Sequence, residues 1–429
     1  MGDKRIRAAA WAVAAAILTS VPIVRAGSQE QMLYTFTGGG DGAVSWANLV
    51  SDPAGNLYGT TIAGGAYGYG TVFQLAPSGG GTWTETVLHS FNPNGLDGVE
   101  PEAGLVRDAA GNLYGTTYFG GAYTAGTVFE VAPQPDGTWS ETVLYSFNNV
   151  NEGRPAAGLT LDQAGNLYGT SSGVPYWCGT VFELTPQAGG AWKETVLHNF
   201  GRIKAAPNAG CQPTAALVFD SVGNLYGTTS TGGASIYFGT VFRLGRGATG
   251  QWTLAVLHSF SGSNGDGEYP YAGVAMDSTG RLYGTSFAGG NSPCFSGCGI
   301  VFKLAPAASG QWKETILHSF TGGGDGGEPY AGVTFDAVGN LYGATTFGGN
   351  PVCSSGCGVV FELTPNAKGR WIETVLHSFD DNDGRAPDGS LILDSAGTLF
   401  GTTLNGGEID SSCPSGCGLV FALTPALSR

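Results

Sequence analysis

The motif "GNLYGT" begins at Gly55 and recurs at Gly111, Gly165 and Gly223; it returns as "GRLYGT" at Gly280, "GNLYGA" at Gly339 and "GTLFGT" at Gly397. Successive copies lie 56, 54, 58, 57, 59 and 58 residues apart, so the chain carries seven copies of one unit. A period of this size restricts the chain to repeat architectures, in which each unit buries its apolar face against its neighbours. The length of 429 residues, which alone suggests two or three domains, therefore does not set the domain count.

Within the second unit four β-like runs stand out: "AGLVRD" (103–108), "NLYGTT" (112–117), "GTVFEVAP" (126–133) and "WSETVLYSF" (139–147), designated A to D. Their side chains alternate with a period of two and show no helical stripe. A D-x-x-G turn joins A to B, a longer Gly-Gly loop joins B to C, and a Gly-rich turn precedes the tryptophan of D. Four antiparallel strands repeated seven times predict an all-β, seven-bladed β-propeller of four-stranded blades. A β-solenoid is the rival, but its coils are much shorter. The chain ends sharpen the choice. "MLYTF" (32–36) is a D strand with no A, B or C before it, and "GLVFALTP" (418–425) is a C strand with no D after it. Pairing the two completes the last blade, closes the ring and removes two exposed sheet edges.

Glycine is abundant at 74 residues, yet 42% of residues are hydrophobic and 11% aromatic, enough for a large core. The glycines are therefore expected to punctuate turns. At the N-terminus Lys4, Arg5 and Arg7 precede the apolar run "AAAWAVAAAILTSVPIV", and Val24 and Ala26 suit cleavage before Gly27. Residues 1–26 thus read as a signal peptide, and 27–429 as a single propeller domain. The alternative is a membrane anchor, but a run of 17 residues is at the short limit for spanning a bilayer. The mature chain is expected to be extracellular or periplasmic, soluble and monomeric. Formal charge is −15, and removing residues 1–26, with four basic groups and one acidic, takes it to −18. So acidic a chain excludes nucleic acid and anionic lipid surfaces as partners.

The pattern "GNLYGTT..GG....GTVF.L.P...W.ETVLHSF", running over nearly all of 32–425, resembles the GloVer-type (Gloeo_Verruco) tandem repeat of secreted bacterial proteins. The resemblance implies an exported protein and brings no catalytic residues with it. Some members carry a C-terminal sorting anchor, whereas this chain ends "FALTPALSR" without an apolar tail. The A–B half also resembles the blades of NHL-type propellers, which are mostly binding modules, a likeness of fold only.

Most conspicuous residues occupy repeat positions. His89, His198, His258, His318 and His377 share the "LHSF" slot of strand D, which Tyr34 and Tyr145 fill elsewhere. With D outermost, these side chains lie one per blade around the rim and cannot converge on one metal or substrate. Trp83, Trp139, Trp192, Trp252, Trp312 and Trp371 open strand D and are expected to pack between blades. Asp52, Asp108, Asp162, Asp220, Asp277, Asp336 and Asp394 start the A–B turn, where a carboxylate accepts turn amides. A second acidic set marks the D–A loops: Asp41, Asp97, Glu152, Asp266, Asp325 and Asp383, each followed by glycine. Gathered around one mouth, these carboxylates would attract a cation. "DDNDG" (380–384) echoes a calcium loop, although Phe379 stands where the first acidic ligand belongs. No other cofactor and no metal centre are expected.

The eight cysteines predict four disulfides in an exported chain. Cys294–Cys298, Cys353–Cys357 and Cys413–Cys417 are C-x3-C pairs in the last three B–C loops, which leaves Cys178 for Cys211. That last pair marks the place where the repeat breaks. The loop "SSGVPYWCG" (171–179) lacks the Gly-Gly step and offers Tyr176 and Trp177. The next D–A loop, "GRIKAAPNAGCQP" (201–213), lacks the acidic step and offers Arg202 and Lys204. Two aromatics and two cations suit a sugar ring bearing an anionic group. Three functions fit: a non-enzymatic propeller binding a glycan or a cell-surface protein, a glycan lyase or hydrolase, and a structural matrix protein. The enzyme needs a non-repeated acid/base cluster near the axis, and none is legible in the sequence.

Overall fold

A computed structural model of the chain describes residues 28–148, 153–173, 177–202, 209–407, 409 and 413–425. The expected signal peptide, Glu152, Tyr176 and Lys204 lie outside the described residues. The described residues form seven four-stranded antiparallel sheets and no α-helix. In blade 1, strands A to D are Val50–Ser51, Leu57–Thr61, Thr71–Gly79 and Thr82–Ser90, hydrogen-bonded in that order. Blades 2 to 6 repeat that order along the chain. Blade 7 is composite: Ile392–Leu393, Leu399–Thr403 and Leu419–Thr424 are joined by Gln29–Thr35 as the outermost strand. The register runs from Gln29 opposite Thr424 to Thr35 opposite Leu419, the predicted closure of the ring.

The core consists of repeated phenylalanines meeting across blade junctions. Phe91, at the end of one D strand, meets Phe129 of the next blade's C strand edge-on, with ring centroids 5.1 Å apart. The same couple recurs as Phe36–Phe73, Phe147–Phe182, Phe200–Phe242, Phe260–Phe302, Phe320–Phe361 and Phe379–Phe421. Every ring in these couples is buried. Five of the D-strand tryptophans pack on the motif tyrosine or phenylalanine of the preceding blade, as Trp139 does on Tyr58 and Trp83 on Phe400.

Two sequence expectations change in detail. Glycines do hold turns, Gly111 at φ 96° among them, but the glycine inside "LYG" is a packing device. It sits in mid-strand, where a Cβ on Gly115 would stand 2.5 Å from Cζ of Phe129, so only hydrogen there lets the ring lie flat against strand B. Strand A is also shorter than its apolar run, with two residues in each blade. The carbonyl just before it is already engaged, because Thr60 Oγ1 donates to Ala103 O across the junction at 3.0 Å. The same latch joins Thr116 to Ala157, Thr170 to Ala215, Thr228 to Ala272, Thr285 to Ala331 and Thr402 to Ala47.

Candidate functional site

Just before strand A four blades read Pro-X-Ala-Gly, while blades 1, 4 and 7 read SWAN, PTAA and PDGS, and X is the most variable position: Trp46, Glu102, Ala156, Thr214, Tyr271, Tyr330 and Asp388. The residue two places ahead of X takes the left-handed conformation in every blade, with φ from 53° at Ala386 to 61° at Val44. Left-handed backbone is costly for a residue with a side chain, and proline at the next position disfavours it further. Its hydrogen bonds hold it there. Glu100 N–H donates to Tyr69 O of blade 1, while Glu100 O accepts from Tyr118 N–H of its own blade. Each blade thereby presents X to the same axial cavity.

All seven X residues line a single axial cavity of about 660 Å³, within the usual range for small-molecule sites. Its wall is uneven. Tyr271 and Tyr330 stack at 4.7 Å, Phe287 meets both edge-on, and Trp46 lies 6.5 Å from Tyr330. Asp388 stands in the blade between Tyr330 and Trp46, and Glu102 and Tyr118 follow in blade 2. Ala156 and Thr214 leave the remaining arc small. Burial pushes the Glu102 carboxyl up to about 7, helped by the negative charge of Glu100. Burial likewise raises Asp388 to about 6, against the hydrogen bond that Thr346 Oγ1 donates to its Oδ1 at 2.6 Å. Tyr330 is raised by burial and by the nearby Tyr271, Asp388, Glu102 and Tyr118, so these groups face one space. Here are the two non-repeated acids that the sequence did not reveal: Glu102 and Asp388 are far apart in the chain, and each is a single irregular letter just ahead of strand A. Aligning the seven Pro-X-Ala-Gly segments with one another would have exposed them.

The predicted loop site is assembled in part. Cys178 and Cys211 are bonded, as are the three C-x3-C pairs. Trp177 and Arg202 form an antiparallel bridge, and the Arg202 guanidinium lies over the Trp177 ring at 4.8 Å. One face of the indole is therefore covered by the protein's own cation. Ser172 and Gln212, which belong to or flank these loops, line the axial cavity, so the break in the repeat opens onto the mouth.

The described D–A loop acids, Asp41, Asp97, Asp266, Asp325 and Asp383, do not form one ring around that mouth. Each turns to the outermost strand of its own blade, Asp97 to His89 at 3.0 Å, Asp266 to His258 at 3.3 Å, Asp325 to His318 at 3.4 Å and Asp383 to His377 at 2.9 Å. Asp41 accepts from the Tyr34 hydroxyl in the same way. They also accept loop amides, as Asp383 does from Asp380 N–H. For Asp266, burial opposes the charge, but hydrogen bonds from His258, Ser261 and Gly267 N–H outweigh it and hold the carboxyl below its usual range. A glutamate from strand D of the next blade approaches two of these pairs, so that single ligand atoms of His89, Asp97 and Glu141, and of His258, Asp266 and Glu314, lie within 4.8 Å of one another. The histidines stay one per blade, as expected, yet each of these two meets carboxylates from two directions. The A–B turn aspartates are scaffold, Asp52 accepting from Ala54 N–H, Asn56 N–H, Asn56 Nδ2 and the Tyr58 hydroxyl.

Among the described residues no helix is long and apolar enough to cross a membrane. No curated protein matches the chain. Among solved structures, an ancestral GH74 enzyme is 12% identical over 90% of this chain and 48% of its own, with a TM-score of 0.55, so this chain spans about half its length. A putative glucose dehydrogenase-type oxidoreductase from Thermus thermophilus is 15% identical, covering 92% of this chain and 100% of its own, at a TM-score of 0.42. A protein of unknown function from Dyadobacter fermentans is 10% identical over 93% and 98%, at 0.43. At 12% identity the likeness to the GH74 enzyme is one of fold alone. The family profile described as the Gloeobacter/Verrucomicrobia repeat matches residues 19–237 and again 212–428. The chain belongs to the Gloeobacter/Verrucomicrobia repeat family, whose repeat is here wound into a closed seven-bladed propeller.

Proposed function

We propose that this is an exported carbohydrate-binding propeller that seats its ligand in the axial mouth. The observation that carries the reading is the contrast within Pro-X-Ala-Gly: a recurring frame presents seven side chains of six kinds to one cavity, and the largest are aromatic. Tyr271, Tyr330 and Trp46 offer flat apolar faces for sugar rings, while Asp388 and Glu102, kept partly protonated, both donate and accept hydrogen bonds to hydroxyls. Two carboxyls in the mouth disfavour acidic sugars there. Trp177 and Arg202, beside the mouth, supply a separate contact for an anionic substituent. Four disulfides suit an oxidising compartment outside the cytosol.

A glycan array probed with the purified chain, followed by calorimetry on the best neutral oligosaccharide, tests this. Tyr330→Ala is expected to weaken binding at least about tenfold, the cost of a lost stacking partner. Arg202→Ala is expected to affect only acidic ligands. Unchanged affinity in Tyr330→Ala and Trp46→Ala would place the ligand elsewhere. A second reading, glycoside cleavage, draws support from the raised Glu102 and Asp388, since such chemistry uses one protonated and one ionised carboxyl. Turnover of the bound oligosaccharide, abolished in both Glu102→Gln and Asp388→Asn, would establish it, and binding without turnover would dismiss it.

A further inference from the structure

The rim junctions carry a pattern that the axial site does not use. Around the ring, strand D presents His or Tyr, the following D–A loop presents an acid, and strand D of the next blade presents a glutamate. These glutamates are Glu85, Glu141, Glu194, Glu314, Glu373 and Glu30. The seventh position, facing blade 3, is Leu254, and blade 3 is the one blade whose D–A loop has lost its acid. Acid and glutamate therefore appear together in six junctions and vanish together in the other.

Two carboxylates brought together repel unless a proton or a cation lies between them. Imidazolium is not the general answer, because the pair persists where the slot holds Tyr34 or Tyr145. Nor is a His–Asp hydrogen bond, which needs no glutamate. At the junction of blades 1 and 2 the Asp97 side chain is only 8% exposed, and its Oδ2 accepts from Asn92 N–H and bonds His89. Its Oδ1 and Glu141 Oε1 are buried with no hydrogen-bond partner. His89, Asp97 and Glu141 line a cavity of about 800 Å³ that opens to the surface and gives an ion a way in.

We infer that the junction between blades 1 and 2, through His89, Asp97 and Glu141, and that between blades 4 and 5, through His258, Asp266 and Glu314, each bind a divalent transition-metal ion of the zinc class. One imidazole nitrogen from strand D, one carboxylate from the following loop and one from strand D of the next blade make a three-ligand set, which leaves further positions for water. The nitrogen ligand favours zinc or its neighbours over calcium or magnesium, which prefer oxygen throughout. Each ion would tie two adjacent blades together at their outer strands, which belong to separate sheets.

The test uses the full purified chain, its affinity tag removed and the protein stripped with a chelator, titrated with Zn²⁺ by calorimetry and with Co²⁺ by absorption spectroscopy. Two ions per chain are expected, with a rise in melting temperature on binding. His89→Ala should leave one ion and His89→Ala/His258→Ala none, whereas His198→Ala, at the junction without acids, should leave both. Glu141→Gln, which keeps the shape of the side chain, should weaken one site about tenfold or more. The inference is overturned if the stripped wild type takes up no Zn²⁺, if the folded double-histidine or Glu141→Gln/Glu314→Gln variants bind both ions as before, or if Ca²⁺ binds more tightly than Zn²⁺.

Discussion

The axis and the rim both bring acidic side chains together, but by opposite uses of the repeat. At the axis a recurring frame carries six kinds of side chain over seven blades, and the acids Glu102 and Asp388 occur once each. At the rim the acids recur in blade after blade, and the informative place is the junction facing Leu254 where they stop. A position free to vary while its surroundings stay fixed is under no packing constraint. A set of residues that appears and disappears together is held by mutual contact. In this propeller variation marks the axial mouth, and coordinated repetition marks the blade junctions.

The comparison can be broken most severely through the junction core. Phe129→Ala removes a ring that is 0% exposed and leaves its partner Phe91 facing a void; a loss of about 3–5 kcal/mol is expected in chemical denaturation. Oligosaccharide affinity per folded molecule should not change, because the phenylalanine lies outside the axial lining. A fall in affinity at constant foldedness would show that junction and mouth are coupled rather than separate.

A smaller effect with a distinctive pH signature is expected at the mouth. Burial holds the Asp388 carboxyl at about 6, above its ordinary 3.8. A raised carboxyl favours the fold while it is protonated, so this contribution is complete below about pH 4 and is lost as pH rises through about 6. Asp388→Asn keeps the neutral form at every pH and retains an oxygen for the Thr346 hydroxyl. The variant should match the wild type near pH 4 and exceed it by up to about 3 kcal/mol at pH 8 in denaturant melts. A constant difference across this range would mean that Asp388 is not held in its neutral form.

The smallest change in stability belongs to Ala156→Trp, which fills the low arc of the mouth. Because X projects into open space, unfolding free energy should move by no more than about 0.5 kcal/mol, while binding of any long oligosaccharide is blocked. A strongly destabilised Ala156→Trp would contradict the idea that the frame tolerates any side chain at X.

The fold was legible because the repeat supplies its own alignment: seven copies of each strand, compared with one another, separate what packing requires from what it does not. The orphan D strand at 32–36 and the orphan C strand at 418–425 even fixed how the ring closes. The disulfides followed from pairing the odd cysteine, Cys178, with the only other one outside a C-x3-C pair. The sites were harder to see. Trp177 and Arg202 drew attention as departures from the repeat, and the structure does place them against each other. The axial residues escaped notice because each is a single letter inside a regular segment, and the rim clusters escaped because their members seemed to belong to one blade.

What the sequence determined by itself is everything that recurs: the blade, its four strands, the number of blades and the closure. Periodic apolar residues have only one economical way to be buried, and that way is local to a unit and its neighbour. What only the tertiary structure decided is which distant residues meet. Glu102 and Asp388 come to one cavity because ring closure carries blade 7 round to blade 1, and Glu141 reaches His89 because neighbouring blades pack side by side. Both depend on the angle at which blades assemble about the axis, a property of the closed ring that no single repeat contains.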